Sequence, residues 1–212
     1  MRVSTPARPI GDWLDDLSSA SPTPGGGAAA GVAAATGAAL IAMVGHLTIG
    51  KAGFEDLEER MRALVERADA ERAAFLAFAD RDAEAFEAVM TAFRLPKETD
   101  DEKNARTLRI QEAYEGAAAV PMELAARAVD LMELAEDATA MGNPNAASDG
   151  YSAGALLFAG ALCAIANVRI NAAGLKDGAK ATALTEACDA LRQRGDALLQ
   201  QIEEAFLLRL SA

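Results

Sequence analysis

Four stretches of this chain carry groups able to do chemistry. The first is AFADRDAEAFEAVM, in which Asp82 follows Asp80 and Arg81 and precedes Phe86 by one helical turn. A carboxylate beside aromatic rings loses hydration, so its pKa rises toward the range of a general base. The same residues also fit a solvated acidic face of Asp80, Asp82 and Glu84, the usual fate of carboxylates. The second is SPTPGGGAAAG, where Gly25, Gly26 and Gly27 stand at the change from loop to helix. A helix start offers free N–H groups, and without Cβ atoms a ligand, above all an anion, can reach them. The stretch is neither a GxGxxG following a strand nor a Walker loop, and it also reads as a flexible turn into a buried helix.

The third stretch is EKNARTLRIQEA. Glu102 and Arg106 are four residues apart in the favourable orientation, which predicts a surface ion pair, and Gln111 is offset from that stripe. The fourth is IANVRINAAGLKD. Asn167, Arg169 and Asn171 end an otherwise apolar helix, and each needs a hydrogen-bond partner from the protein or from a ligand. His46, the single histidine, reads as a satisfied core residue. One histidine leaves little material for a His-rich zinc site or a Ser-His-Asp triad. Cys163 and Cys188 lie at no metal-like spacing and read as reduced, packed thiols.

Helices must position these groups. Apolar spacing and breakers predict a short helix over Pro9 to Leu17 and a small-residue helix over Ala28 to Ile49. A long amphipathic helix follows from Phe54 to Phe93, stopped by Pro96. Thr99 and Glu102 have capping-box spacing and open the next helix, which runs to about Ala140 with a kink or break expected near Ala118 to Val120, ahead of Pro121. A loop at Gly142-Asn143-Pro144-Asn145 leads, with Ser148 or Asp149 as N-cap, into a second small-residue helix over Tyr151 to Ala173. A final amphipathic helix covers Ala179 to Leu210.

The bulk numbers agree. Hydrophobic residues make up 51% of 212 and aromatics only 5%, with alanine dominant. That composition predicts an all-α, single-domain bundle over 1–212, with long amphipathic helices around two buried small-residue helices. Net charge is −12, which argues against a nucleic-acid partner. No secretory signal is visible. The two uncharged helices are long enough for membrane spans but are built of Ala and Gly without aromatic belts, so they read as the centre of a bundle. The expectation is a cytoplasmic protein without membrane or metal.

The blocks PTPGGGAAAGVAA…GAALIAMVGHLTIGK, DAEAFEAVMTAFRLPKETDDEKNARTLRIQEAYEGAAAVP and GNPNAASDGYSAGALLFAGALCAIANVRINAAGLKD together resemble the cyclodeaminase/cyclohydrolase family. The resemblance covers roughly Asp12 to Leu208. It implies a helical bundle, commonly a homodimer, acting on one-carbon adducts of tetrahydrofolate, the folate being substrate and no further cofactor being needed. It implies a folate site of Gly25, Gly26, Gly27, Lys51, Asp82, Arg106, Gln111, Asn143, Asp149, Asn167, Arg169 and Asn171. Asp82 would act as base, with Lys51 and Gln111 orienting water and assisting proton delivery to N5. Where this chain has Ala28 the family often has Ser or Gly, and its pattern gives His46 no role. The implied reaction is hydrolysis of 5,10-methenyltetrahydrofolate to 10-formyltetrahydrofolate. The alternatives are the formimidoyltetrahydrofolate cyclodeaminase reaction, which releases ammonia, and a folate-binding helical module without catalysis.

Overall fold

A computed structural model describes residues 4–211, and the ends of the 1–212 domain expected from sequence lie outside them. Six α-helices account for most of the chain: α1 (Ile10–Leu17), α2 (Gly26–His46), α3 (Glu58–Phe93), α4 (Asp100–Met141), α5 (Ala147–Ala172) and α6 (Gly178–Leu210). Short 3₁₀ turns lie at Thr5–Ala7, Glu55–Leu57 and Pro144–Ala146, and no strand occurs among the described residues. The chain is an all-α bundle.

From α2 to α6 the helices run up and down in succession. Residues near the start of α2 meet the end of α5, and residues near its end meet the start of α5: Gly26 lies by Asn167, and Gly37 by Ala153 and Leu157. Side chains on those two helices are small because the backbones nearly touch. A Cβ at Gly37 would stand 2.8 Å from the Ala153 carbonyl oxygen, and one at Gly160 would stand 2.9 Å from that of Ala30. Against α3, a Cβ at Gly31 would lie 2.6 Å from the Phe75 carbonyl oxygen. The glycines lower helix propensity by about 1 kcal/mol each, and close packing of neighbouring backbone offsets that loss.

Larger core residues sit on the amphipathic helices. Phe75, Phe78, Met61, Leu131, Met132 and Ile202 are fully buried around the α2–α5 pair. The buried Glu71 carboxylate joins α3 to α4, taking Arg67 at 3.0 Å and Arg127 at 2.8 Å. Burial of a charge is tolerated there because both oxygens are paired.

Several local expectations change. Helix α4 is continuous through Pro121. Pro121 has no N–H for the carbonyl four residues back, that of Ala117. The Asn171 side chain supplies the missing donor, 2.8 Å from the Ala117 oxygen. The capping box at Thr99 and Glu102 is present. Glu102 is therefore engaged with the backbone N–H groups of Thr99 and Glu98, and the expected pair with Arg106 does not form. Neither Ser148 nor Asp149 caps α5, whose N-cap is Ala146 with Asp149 in the first turn. His46 and Cys163 are exposed, while Cys188 is buried. Both small-residue helices keep exposed residues, Met43 on α2 with Leu47 just after it, and Cys163 and Ile170 on α5, so the pair is not a fully enclosed centre.

Candidate functional site

Near the start of α2 the bundle leaves an opening. Helix α3 runs antiparallel to α2 and continues past its beginning, carrying Asp82, Phe86, Val89, Met90 and Phe93 over the glycine loop. Together with Tyr114 and Ala117 of α4 and Asn167, Ile170 and Asn171 of α5, these residues line a cleft of about 420 Å³ whose floor is Pro22, Thr23, Gly25, Gly26 and Gly27.

Gly27 and Asp82 are in direct apposition. Any Cβ at position 27 would overlap the Asp82 carboxylate, so only glycine admits that carboxylate against the first turn of α2. Gly25 is the N-cap and has no side chain to cap the helix, so the first-turn N–H groups of α2 face this region without a capping side chain. Asp82 itself is half-buried and makes no hydrogen bond or ion pair with any described residue. Burial pushes its carboxyl above the ordinary aspartate range. A carboxylate in that state is both a stronger base and a seat for a cation.

The N-terminal segment holds this arrangement from behind. Buried Trp13 of α1 packs on Ala28 and Ala79. Asp80, beside Asp82 in sequence, accepts from the Thr5 N–H at 3.1 Å and hydroxyl at 2.8 Å. The solvated face of Asp80, Asp82 and Glu84 is therefore not formed: only Glu84 is fully exposed.

Opposite Asp82 stands an aromatic wall. Phe93 meets Tyr114 edge-on, with ring centroids 6.1 Å apart. Arg106 lies over the Phe93 ring and donates to the Phe93 carbonyl oxygen at 3.1 Å, which places it at the rim. Gln111 donates to the Gly174 carbonyl oxygen at 3.1 Å and accepts from the Lys176 N–H at 2.6 Å. It thereby pins the turn after α5, where Gly174 leaves room for the Tyr114 ring. Gln111 does not line the cleft, and both ends of its carboxamide are occupied by backbone.

Of the residues expected in one site, the structure brings together Gly25, Gly26, Gly27, Asp82, Asn167 and Asn171, with Arg106 and Gln111 just behind the wall. Four are elsewhere. Lys51 and Asn143 lie at the opposite end of α2, about 30 Å away at 1.5 Å per helical residue. There the Lys51 ammonium donates to the Asn143 side-chain oxygen at 2.6 Å. The Asn143 amide nitrogen donates to the Leu47 carbonyl oxygen at 3.1 Å, and its backbone N–H to the Thr48 hydroxyl at 2.9 Å. Asp149 follows on α5 at that same end. Arg169 turns toward α6 and pairs with Asp189 at 2.6 Å. In one chain, then, Lys51 does not reach the Asp82 carboxylate. Sequence spacing could not show this, because it does not say which end of an antiparallel pair a loop occupies.

Phe86, Met90, Phe93 and Tyr114 line the cleft although they are not among the site residues expected from sequence. The signal was present: Phe86, Val89 or Met90, and Phe93 follow Asp82 at helical spacing and share its face. Among the described residues no cluster of three or more His, Cys, Asp or Glu side chains could hold a metal ion.

The formiminotransferase-cyclodeaminase family profile matches residues 9–190. This chain belongs to that family. It is 40% identical to the methenyltetrahydrofolate cyclohydrolase of Methylorubrum extorquens over 92% of this chain and 94% of that protein. It is 36% identical to the formimidoyltransferase-cyclodeaminase of Sus scrofa, matching 92% of this chain but 35% of that longer protein. The solved structure of formiminotetrahydrofolate cyclodeaminase from Thermotoga maritima superposes with a TM-score of 0.85 at 30% identity, over 95% of this chain and 96% of that one. The part shared with these relatives spans most of the helical bundle described above.

Proposed function

We propose that this family member hydrolyses 5,10-methenyltetrahydrofolate to 10-formyltetrahydrofolate, working as a homodimer in the cytoplasm without a further cofactor. One observation carries the reading: a half-buried carboxylate, with no cation to pair it among the described residues, faces an aromatic-walled cleft floored by bare backbone. The substrate's bridging carbon is the centre of an amidinium cation between N5 and N10, and the ring system beside it is flat. Asp82 then stabilises that cation and accepts a proton from the attacking water. The oxygen adds to the bridging carbon, the bond from that carbon to N5 breaks with N5 taking a proton, and the formyl group stays on N10. Phe86, Phe93 and Tyr114 offer ring faces and edges to the flat substrate. Arg106 at the rim suits an anionic glutamate tail in a chain of net charge −12.

The relative of matching length and 40% identity is named for this hydrolysis. Helices α2 and α5 are long and apolar enough to cross a membrane, but half or more of each is buried in the bundle, which favours a soluble enzyme. A second reading draws on the Thermotoga maritima structure, named for the cyclodeaminase reaction. There N10 attacks the formimino carbon on N5 and ammonia leaves, with the same carboxylate as base.

Loss of the near-ultraviolet absorbance of 5,10-methenyltetrahydrofolate, catalysed by the purified chain, tests the first reading. Ammonia release from 5-formiminotetrahydrofolate tests the second. Turnover of the formimino compound alone would overturn the hydrolase reading.

A further inference from the structure

Gln111, Tyr114 and Ala117 follow one another at three-residue spacing along α4, and all three meet the end of α5 or the turn after it. Two carboxamides tie this stretch down, one at each end. At one end the Asn171 side chain of α5 donates to the Ala117 carbonyl oxygen at 2.8 Å. At the other the Gln111 side chain of α4 donates to the Gly174 carbonyl oxygen at 3.1 Å and accepts from the Lys176 N–H at 2.6 Å. Asn171 and Ala117 line the cleft, while Gln111 stands outside it. A carboxamide carries a donor and an acceptor on one plane, whereas a carboxylate of the same shape offers only acceptors. Position 111 uses both functions at once.

Tyr114 lies midway between the two ties and lines the cleft. Its hydroxyl makes no hydrogen bond with any described residue, so packing sets where the ring stands. Gly174 covers one face of it. A Cβ at position 174 would stand 2.5 Å from the ring's Cζ and 2.6 and 2.7 Å from its two Cε atoms. Such near-equal distances put the glycine over the ring plane. Phe93 meets the same ring edge-on. Gly174 has no positive φ, so the close approach of the ring, rather than backbone conformation, calls for glycine there. The position of the Gly174 backbone therefore sets how far the ring stands into the cleft. The Gly174 and Leu175 N–H groups bond back to Asn171 and Ala172 at 3.0 Å, and Gln111 fastens the same turn to α4.

We infer that Gln111 is a positioning residue for substrate binding: it fixes Gly174 against the Tyr114 ring and thereby sets the width of the slot that receives the flat ring system of the folate. The assignment rests on the folate reading above. It differs from the role that the family resemblance implies, in which Gln111 orients water and assists proton delivery to N5. A group in that role must reach the reacting atoms. The Gln111 amide is instead engaged by backbone outside the cleft. The two roles separate in kinetics. A group that orients water acts on kcat, and one that shapes a binding wall acts on KM.

Two measurements on the full chain test this. The first needs no substrate. The chain has two tyrosines, so labelling with 3-fluorotyrosine gives two fluorine resonances, assigned through Tyr151→Phe. Tyr151 packs on Phe206 with ring centroids 5.5 Å apart, near the start of α5, and it reports any general loosening of the bundle. Gln111→Glu keeps the side chain's size and loses its donor, and Gln111→Ala loses both functions. In each variant the Tyr114 resonance should move or broaden while that of Tyr151 stays. The second measurement is steady-state hydrolysis of 5,10-methenyltetrahydrofolate. Gln111→Ala should raise KM about tenfold with kcat kept within about twofold. Tyr114→Ala should raise KM at least as much. Adding Gln111→Ala to Tyr114→Ala should change KM by no more than about twofold, because the tie acts through a ring that is no longer there. A fall in kcat at unchanged KM, fully additive KM effects, or fluorine shifts at both tyrosines or at neither would each overturn the proposal. Wild-type protein that consumes neither folate would sink the functional reading, and the fluorine spectra would still decide whether Gln111 sets the Tyr114 ring.

Discussion

The two ends of the α2–α5 pair have similar raw material and opposite outcomes. At each, a small-residue helix begins or stops beside the end of another, and asparagines stand nearby. At the Lys51 end the polar groups are closed on one another: Asn143 joins the Leu47 carbonyl, the Thr48 hydroxyl and the Lys51 ammonium. At the Gly27 end the asparagine amides are tied too, Asn167 to the Cys163 carbonyl oxygen and Asn171 to that of Ala117, but the helix start and the acid are left open. The α2 start has no capping side chain, Asp82 has no partner among the described residues, and α3 extends beyond it as an aromatic eave. A helix terminus closed by its own side chains is structure. A terminus left open under a hydrophobic cover is where a ligand can complete the hydrogen bonding.

The sharpest way to break this contrast is at the open end. Asp82→Asn is expected to reduce kcat for methenyltetrahydrofolate by about 10³-fold, within the usual range for a lost general base, while the fold persists. Turnover near wild type would remove the carboxylate from the mechanism. Gly27→Ala is expected to cost about 10²-fold in kcat/KM, because a methyl group there must displace the Asp82 carboxylate. Unchanged steady-state kinetics would show that their apposition is irrelevant.

Acidity separates the ends further. Burial raises the Asp82 pKa in the folded chain, so this site binds its proton more tightly folded than unfolded. Its stabilising effect is complete below the unfolded pKa and is lost as pH rises through the folded one. Asp82→Asn should therefore melt above wild type at neutral pH, with the gap closing in acid. Wild-type kcat/KM should rise with pH through an apparent pKa above that of an ordinary aspartate. A melting gap that widens in acid would contradict the burial argument.

At the closed end, Asn143→Ala is expected to lower stability by about 1–2 kcal/mol in a urea titration, the size of a lost helix-terminal bonding group. A midpoint equal to wild type would show that these bonds do not hold the terminus. The smallest effect is expected from Arg169→Ala. Its exposed guanidinium is tied to Asp189 away from the cleft, so KM should stay within about twofold. A large rise in KM would place Arg169 on the substrate after all.

Much of this molecule was legible in its residues. Alanine-rich helical periodicity dictated the all-α class, because no run of β-branched or aromatic residues competes with it. The capping box at Thr99 and the stop at Pro96 followed from local chemistry, which depends on neighbours within four residues. Gly27 and Asp82 could be singled out by type, but nothing in sequence placed one against the other, since 55 positions separate them and only the antiparallel register of α2 and α3 decides the contact. Pro121 marked a break that does not occur, because Asn171 on another helix supplies the donor that proline lacks. The separation of Lys51 from Asp82 within one chain was likewise settled by direction: helices pack by complementary surfaces, and which ends then coincide is a property of the packed bundle rather than of any segment in it.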